Sequence, residues 1–308
     1  MKITVTVLLA VYNGEKYLKE QIESILNQTL KDIKIVIHDD GSTDSSAQII
    51  ESYRLKYPNI ISCLNGGSTG SAKKNFAYLL ESCDDDYIMF CDQDDVWLHE
   101  KAERTLCAMQ TAEEGGKIPV LVHSDLKVVD SNLNVISNSF FEFQRLYQDN
   151  ITTARLLVQN YVTGCTVMIN RALKQKCAAI PDDCIMHDWW LALTAQLFGK
   201  IVCINEPTML YRQHSDNQVG AKASYGIALI KRKLLTLSEV KKNYNATYTQ
   251  ASALLRCYRE HLSQNDLNLL EAYCKMQNMT KIQKIKTMKK YGFKKGTRLR
   301  VIGQYFLM

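Results

Sequence analysis

The chain has 308 residues, 46% hydrophobic and 23% charged, an ordinary globular composition long enough for one large domain with an appendage or for two small domains. No apolar run approaches the roughly 18 to 20 residues of a membrane span, and Met1-Lys2-Ile3-Thr4-Val5 runs into strand-like sequence with no signal-peptide cleavage pattern. The net charge of +6 is unevenly spread: ten Lys or Arg and no acid lie in 275–308, which leaves 28 basic against 32 acidic side chains, a net of −4, in the first 274 residues. The ten cysteines show no Cys-x-x-Cys spacing, and several lie in apolar runs, the pattern of reduced thiols in a cytosolic protein rather than of disulfides or a zinc site.

In chain order, residues 3–10 form a β-rich run closed by the turn signature Val11-Tyr12-Asn13-Gly14. Apolar positions 18, 22, 25 and 26 predict a helix over 17–26. A second strand over 33–37 ends in acids, His38-Asp39-Asp40-Gly41-Ser42-Thr43-Asp44, and Ser42 or Thr43 can cap a helix over 45–56. A third strand over 60–64 leads into the glycine-rich Asn65-Gly66-Gly67-Ser68-Thr69-Gly70, and a helix over 71–82 follows. The apolar run Tyr87-Ile88-Met89-Phe90-Cys91 then stops in three carboxylates within four positions, Asp92, Asp94 and Asp95. Three acids at the end of a buried strand repel one another unless something positive sits among them. A hard divalent cation, which takes oxygen ligands and often shares them with a phosphate, is one remedy. A solvated acidic turn is the plainer reading.

This β-α alternation predicts a parallel, doubly wound sheet, in which ligands collect beyond the carboxyl ends of the strands. Those ends carry Ala10, Tyr12, Asp39, Asp40, the 65–70 loop and the acids of 92–95. There is no G-x-G-x-x-G after the first strand and no Walker sequence, so a bound nucleotide would depend on a metal and carboxylates more than on a phosphate cradle.

The second half predicts a helix over 100–111, a strand over 119–125, a hairpin over 126–138 turning at 130–132, a short helix over 155–159 and a strand over 161–169. A helix over 171–178 follows, then one opening at His187-Asp188-Trp189-Trp190 and stopping at Gly199, strands over 201–204 and 209–214, and a loop over 215–220. Beyond a boundary near residue 222 the pattern is helical, with helices beginning near 229, 253 and 267. In the tail, lysines alternate with Ile282, Ile285, Met288, Tyr291 and Phe293. That suits an anionic membrane surface, at about 1 kcal/mol per near-surface basic residue. A helical face packed on the body or a partner is an alternative; nucleic-acid binding would need a module that is absent.

Taken together, VLLAVYNGEKYLKEQIESILNQTL, VIHDDGSTD, NGGSTGSAKKNF and DYIMFCDQDDVW resemble, in order and spacing, the successive motifs of family 2 glycosyltransferases of the GT-A fold. HDWWLAL and YRQHSDNQVG are similar to the bacterial rhamnosyltransferase-like branch, and the resemblance covers roughly residues 3–221. It implies an α/β fold with a Rossmann-like, mostly parallel sheet flanked by helices, a catalytic domain over 1–222 and a helical region over 223–308. The implied activity is inverting, non-processive sugar transfer, without the Gln-x-x-Arg-Trp segment of processive synthases. The implied donor is dTDP-rhamnose or a UDP-sugar, and the acceptor a lipid-linked glycan of bacterial surface polysaccharide synthesis, at the inner face of the cell membrane.

The resemblance carries over residue by residue. It implies that Ala10, Tyr12 and Asp40 hold the base, with Asp39 in the lesser role of helix entry, and that Lys74 lies near the diphosphate. Asp92 would face the ribose or sugar, and Asp94, with His214, would bind Mn²⁺ or Mg²⁺. Asp188 matches the catalytic base, although Asp at a helix start is also a good cap. Asp95 would sit near the acceptor or support its loop, and Trp189 and Trp190 could supply dryness and an apolar face for a sugar. His187 replaces the commoner Glu before the base, which leaves open whether it tunes Asp188 or contacts the acceptor. Two rivals stand beside this reading. A non-catalytic sugar-nucleotide binder would have no need of Asp92, Asp94 and Asp188 together, and a nucleotidyltransferase would carry a basic glycine-rich loop after the first strand.

Overall fold

All seven residues of Val5–Val11 (β1) are buried, so both faces of this strand need cover. The computed structural model, which describes residues 3–113, 118–149, 151–177, 179–214 and 237–307, supplies that cover from two helical layers. Strand periodicity sorts the core between them. Leu8 and Ala10 of β1 join Ile88 and Phe90 of β4 (Tyr87–Cys91) in one cluster, whereas Val5, Val7, Leu9 and Val11 join Met89 and Cys91 in the other. Against the second cluster pack α1 (Leu18–Leu26), α2 (Ser46–Lys56) and α4 (Lys101–Ala112). Against the first pack α3 (Ala72–Glu81), α6 (Thr153–Leu156), α7 (Arg171–Cys177) and α8 (His187–Phe198).

The sheet runs β3-β2-β1-β4-β8-β6-β9-β5. Its first four strands, with β2 at Ile33–Asp39 and β3 at Ile61–Cys63, are parallel, as the β-α alternation predicts. The other half is mixed. β8 (Met168–Asn170) lies antiparallel between β4 and β6 (Val120–Val129), β9 (Lys200–Arg212) is parallel to β6, and β5 (Val96–Trp97) is antiparallel to β9. β7 (Val135–Ser137) returns along β6 as the expected hairpin.

Several expected boundaries move. The strands expected at 201–204 and 209–214 are one strand, β9, because a register irregularity opposite Asp125 accommodates Pro207, which cannot donate to a ladder. The strand expected over 161–169 shrinks to β8: Gly164–Thr166 is a 3₁₀ turn, closed by Thr166 N donating to Thr163 O at 2.9 Å. The short α5 (Phe140–Gln144) stands on its Ser139 cap.

The C-terminal helices are α9 (Leu237–Tyr258), α10 (Gln264–Lys275), α11 (Lys281–Tyr291) and α12 (Arg298–Leu307). α9 runs straight through 241–251, where the polar sequence suggests a break. Tyr244, Thr247, Tyr248 and Ala251 are buried there at helical spacing, and the Thr247 and Tyr273 hydroxyls bond at 2.8 Å. Residues Tyr248, Leu254, Tyr258, Tyr273, Met288 and Phe293 enter the first core cluster, so the C-terminal helices close over α8. The expected boundary near 222, the loop over 215–220 and the helix start near 229 lie outside the described residues.

Candidate active site

The strand ends expected to carry ligands converge. Ala10 and Tyr12 after β1, Asp40 after β2, Asp92 and Asp94 after β4, and His187 and Asp188 at the start of α8 line one cleft of about 670 Å³. Asp94 and Asp188, 94 residues apart in sequence, therefore face the same space.

Two of the acids in this cleft are pushed toward their neutral form. Burial, followed by the charges of Asp94 and Asp188, pushes the Asp92 carboxyl up to about 7, against the pull of Lys101. Burial pushes Asp188 up to about 6, although its Oδ1 accepts Trp189 N–H at 2.6 Å and its Oδ2 accepts Asn160 Nδ2–H at 3.2 Å. Asp188 is not the helix cap. Met186 occupies that position without a side-chain bond, so the carboxylate sits in the first turn, where the helix dipole favours its charged form. Gly164 permits the approach of this turn, since a Cβ there would meet His187 Nε2 at 3.0 Å and Asp188 Cβ at 3.5 Å.

Part of the positive charge comes from the chain itself, through two residues that the sequence reading missed. Lys101 is buried, with Nζ donating to Cys165 O at 2.7 Å and lying 4.6 Å from the Trp97 ring; burial pulls its pKa down to about 8. Arg212, 2% exposed, bonds Asp94 O through Nε at 2.8 Å, Ser131 O through Nη1 at 2.8 Å and the Glu20 carboxylate through Nη2, and lies over the Tyr17 ring at 4.4 Å.

The residues present fit a divalent ion. His214 Nε2 lies 2.8 Å from Asp94 Oδ2, which unites the two expected ligands in an imidazole and carboxylate donor set of the kind such ions take. A second grouping, Asp92, Asp95 and Cys165, brings ligand atoms within 4.8 Å of one another. It suits a hard ion less well, because burial pushes the Cys165 thiol well up, keeping it protonated, and Asp95 Oδ1 already accepts Arg212 N–H at 3.0 Å.

At the β1 end of the cleft, Tyr12 is 54% exposed, and its backbone is clamped by Gln93: Tyr12 N donates to Oε1 at 2.6 Å and Nε2 donates to Tyr12 O at 2.8 Å. Gly14 is needed beneath this clamp, where a Cβ would meet Gln93 at 2.7 Å. Both carboxylate oxygens of Asp40 accept backbone N–H groups of the glycine-rich loop, from Thr69 and, at 3.1 Å, from Gly70. Asp39 accepts Ser42 N–H at 3.0 Å in the turn before α2, and the cap position of that helix is Ser45, with no side-chain bond, rather than the expected Ser42 or Thr43.

Other expected residues stand elsewhere. Trp190 is not an acceptor platform: it is fully buried and stacks on Tyr258 at 6.0 Å. Two helical positions from Asp188 is about 200° of rotation, so residues adjacent in the motif face opposite ways. Trp189 is half-buried, its Nε1 spent on Leu156 O at 2.7 Å, and does not line the cleft. Asp95, 1% exposed, lies beneath the cleft and fills the loop-supporting alternative. Lys74 is half exposed, with Nζ 3.8 Å from Asp182 Oδ1, and does not line the cleft. His187 does line it. Its ring lies 4.2 Å from Phe76 and 5.1 Å from Phe90, and burial pulls its pKa down to about 3. Neither ring nitrogen has a partner among the described residues. Both nitrogens are themselves buried, so the ring borders the cleft without presenting a polar atom to it.

The Glycosyl transferase family 2 model matches residues 6–176. A dTDP-rhamnosyl transferase of Shigella flexneri, RfbG, is 33% identical over 238 residues, 70% of this chain and 75% of that protein. Among solved structures, S. aureus TarS 1–349 in complex with UDP-GlcNAc is 17% identical, with a TM-score of 0.55 over 94% of this chain and 85% of that one. A mannosyltransferase of Pyrobaculum calidifontis in complex with GDP-Man and Mn²⁺ is 15% identical, with a TM-score of 0.53 over 94% and 85%. Motifs, cleft and matched span agree: the chain belongs to the family 2 glycosyltransferases.

Proposed function

We propose that this protein transfers a single sugar with inversion, from a nucleoside-diphosphate donor to a glycan hydroxyl in surface polysaccharide synthesis, with Asp188 as the base. The observation that carries the reading is that Asp188, in the first turn of α8, lines one cleft with Asp92 and Asp94, where burial pushes its carboxyl up to about 6. A carboxyl poised near neutrality is ionised in use yet basic enough to take a proton. The acceptor hydroxyl gives its proton to Asp188 as its oxygen bonds the anomeric carbon. The bond from that carbon to the diphosphate oxygen breaks on the opposite side, and the nucleoside diphosphate leaves with the electron pair.

Ala10, Tyr12 and Asp40 would border the base, and Asp92 the ribose or sugar. Asp94 and His214 would hold Mn²⁺ or Mg²⁺, which when bound supplies positive charge to a diphosphate. His187, neutral and buried beside Asp188, would tune the base, or contact the acceptor were its ring to turn. Residues 1–222 would carry this chemistry and 223–308 would brace it.

The relative from Shigella flexneri supports dTDP-rhamnose as the donor. A UDP-sugar is the second reading, favoured by the fold shared with TarS, which was solved with UDP-GlcNAc. A thermal-shift screen of dTDP-rhamnose, UDP-GlcNAc and other UDP-hexoses, with and without Mn²⁺, decides between them, since a donor bound to the folded state raises Tm. Product analysis tests the reaction class. Sugar transfer releases a nucleoside diphosphate. Release of pyrophosphate would make the protein a nucleotidyltransferase, and donor binding without turnover over a panel of glycan acceptors would make it a binder.

A further inference from the structure

The last two helices expose apolar side chains beside a high density of positive charge. On α12, Leu299, Ile302 and Phe306 stand at i, i+3 and i+7, one stripe of the helix, and are 67%, 50% and 74% exposed. Gln304, on the opposite side, is buried and donates to Phe293 O at 3.1 Å, so the stripe faces away from the body. Ile282 of α11 is 69% exposed. Its neighbour Lys281 reaches across to α12, with Nζ donating to Phe306 O at 3.2 Å and lying 5.7 Å from the Phe306 ring. The end of α12 is thereby tied to the first turn of α11.

Lys281, Lys286, Lys289, Lys290, Lys294 and Arg298 are exposed on the same two helices and the turn between them, in a segment, 275–308, that contains no acid. Protein interfaces are depleted in lysine. A solvated helix would bury such a stripe or do without it. Outward apolar side chains among lysines match the boundary of an anionic bilayer, where the chains enter the acyl region and the ammonium groups meet phosphate headgroups.

The same helices are tied to one side of the cleft. Arg300 Nη2 donates to Gln144 O at 2.6 Å, and Gly296 N donates to Gln159 Oε1 at 3.3 Å. Gln144 lines the cleft, and Gln159 precedes Asn160, which holds Asp188. We propose that α11 and α12 form a docking face for an anionic lipid bilayer, and that docking there presents the Asp188 side of the cleft to an acceptor anchored in that bilayer. The second clause rests on the sugar-transfer reading above; the first does not.

The test is co-sedimentation of the full chain with phosphatidylcholine vesicles and with vesicles containing about one third phosphatidylglycerol. The expected result is partitioning onto the anionic vesicles alone, weakened by salt. The Ile302→Asp/Phe306→Asp pair is expected to cut that partitioning by about tenfold or more, and Lys286→Glu/Lys289→Glu/Lys290→Glu likewise. Transfer to a water-soluble acceptor should be unchanged in both. Because both sets are exposed, Tm should hold, and Ile302→Ser/Phe306→Ser repeats the test with a milder change. Wild-type protein that stays in solution with anionic vesicles overturns the proposal. So does partitioning indifferent to the apolar substitutions, which would be unspecific charge attraction. A wild-type dimer that Ile302→Asp converts to monomer, with no vesicle binding, would make the patch an interface between copies and also overturn it. Failed docking leaves soluble-acceptor transfer intact, and failed transfer leaves docking intact, so the two readings fall separately.

Discussion

The acids after β2 and the acids after β4 stand one strand apart in the sheet, yet the fold treats them differently. After β2, donors are plentiful. Asp39 takes Ser42 N, Asp40 takes the N–H groups of Thr69 and Gly70, and Asp44 takes those of Glu15 and Ser46, both at 2.9 Å. Burial pushes Asp44 up, but hydrogen bonds from Ser46 and Glu15 outweigh it and hold the carboxyl below its usual range. After β4, Asp92 is driven to about 7 and Asp95 well above the usual carboxylate range, each by burial first and neighbouring acids second. Lys101 and Arg212 lie beneath them, but they do not cancel the excess. An acid supplied with backbone donors shapes a loop. An acid whose burial outweighs its donors, as at Asp92 and Asp188, is poised to bind or react, and that excess separates the candidate site from a merely acidic turn.

The largest effect that would break this comparison is at Asp188. Asp188→Asn keeps the shape and the bond to Trp189 N but removes the proposed base, and should lower the turnover of nucleoside diphosphate release by about 10³-fold with donor binding unchanged. Wild-type turnover in that variant would remove Asp188 from the mechanism. Next is Arg212→Met, which leaves Glu20 unpaired and frees Asp94 O. Glu20 is half exposed and can turn to water, so the loss falls on the carbonyls of Asp94 and Ser131; it should destabilise the fold by about 1 to 3 kcal/mol, read as a lower urea midpoint.

The pH response sharpens the comparison. The folded-state pKa values of Asp92 and Asp188 lie above 3.8, so the unfolded chain gives up these protons first. Metal-free stability should therefore fall as pH rises from about 4 to about 7. A cation competes with those protons, so the Tm increase on adding Mn²⁺ should be larger at about pH 8 than at about pH 5. An increase independent of pH would argue that these acids do not face the ion. Turnover should rise with pH through about 6 as Asp188 ionises. The smallest effect belongs to the satisfied cluster. Asp39→Ala should cost about 1 kcal/mol in Tm-derived stability and leave turnover unchanged, because it removes only a turn contact to Ser42.

Much of the site was legible because its signals are local. A buried strand that ends in acids, a helix that starts on His187-Asp188, and glycines at a strand-to-loop junction are patterns a few residues wide. The partners that give those acids their properties are not local. Gln93 meets Tyr12 across 81 positions, Arg212 meets Asp94 across 118, Lys101 meets Cys165 across 64 and Asn160 meets Asp188 across 28. Gln93 alone had a signal, as the middle residue of the Asp92-Gln93-Asp94 motif. Trp190 misled because an aromatic residue beside a candidate site reads the same whether it faces the cleft or the core.

By itself the sequence determined the strand and helix alternation of the first half, the parallel direction of β1 to β4, and the identity of the acids at their ends, because periodicity and motif spacing are properties of short segments. Only the tertiary structure decided that β8 would enter antiparallel between β4 and β6, that Asp94 and Asp188 would share one cleft, and which acids burial would push toward their neutral form. Burial and charge balance depend on what packs above and below a residue, and that neighbourhood exists only once distant segments have met.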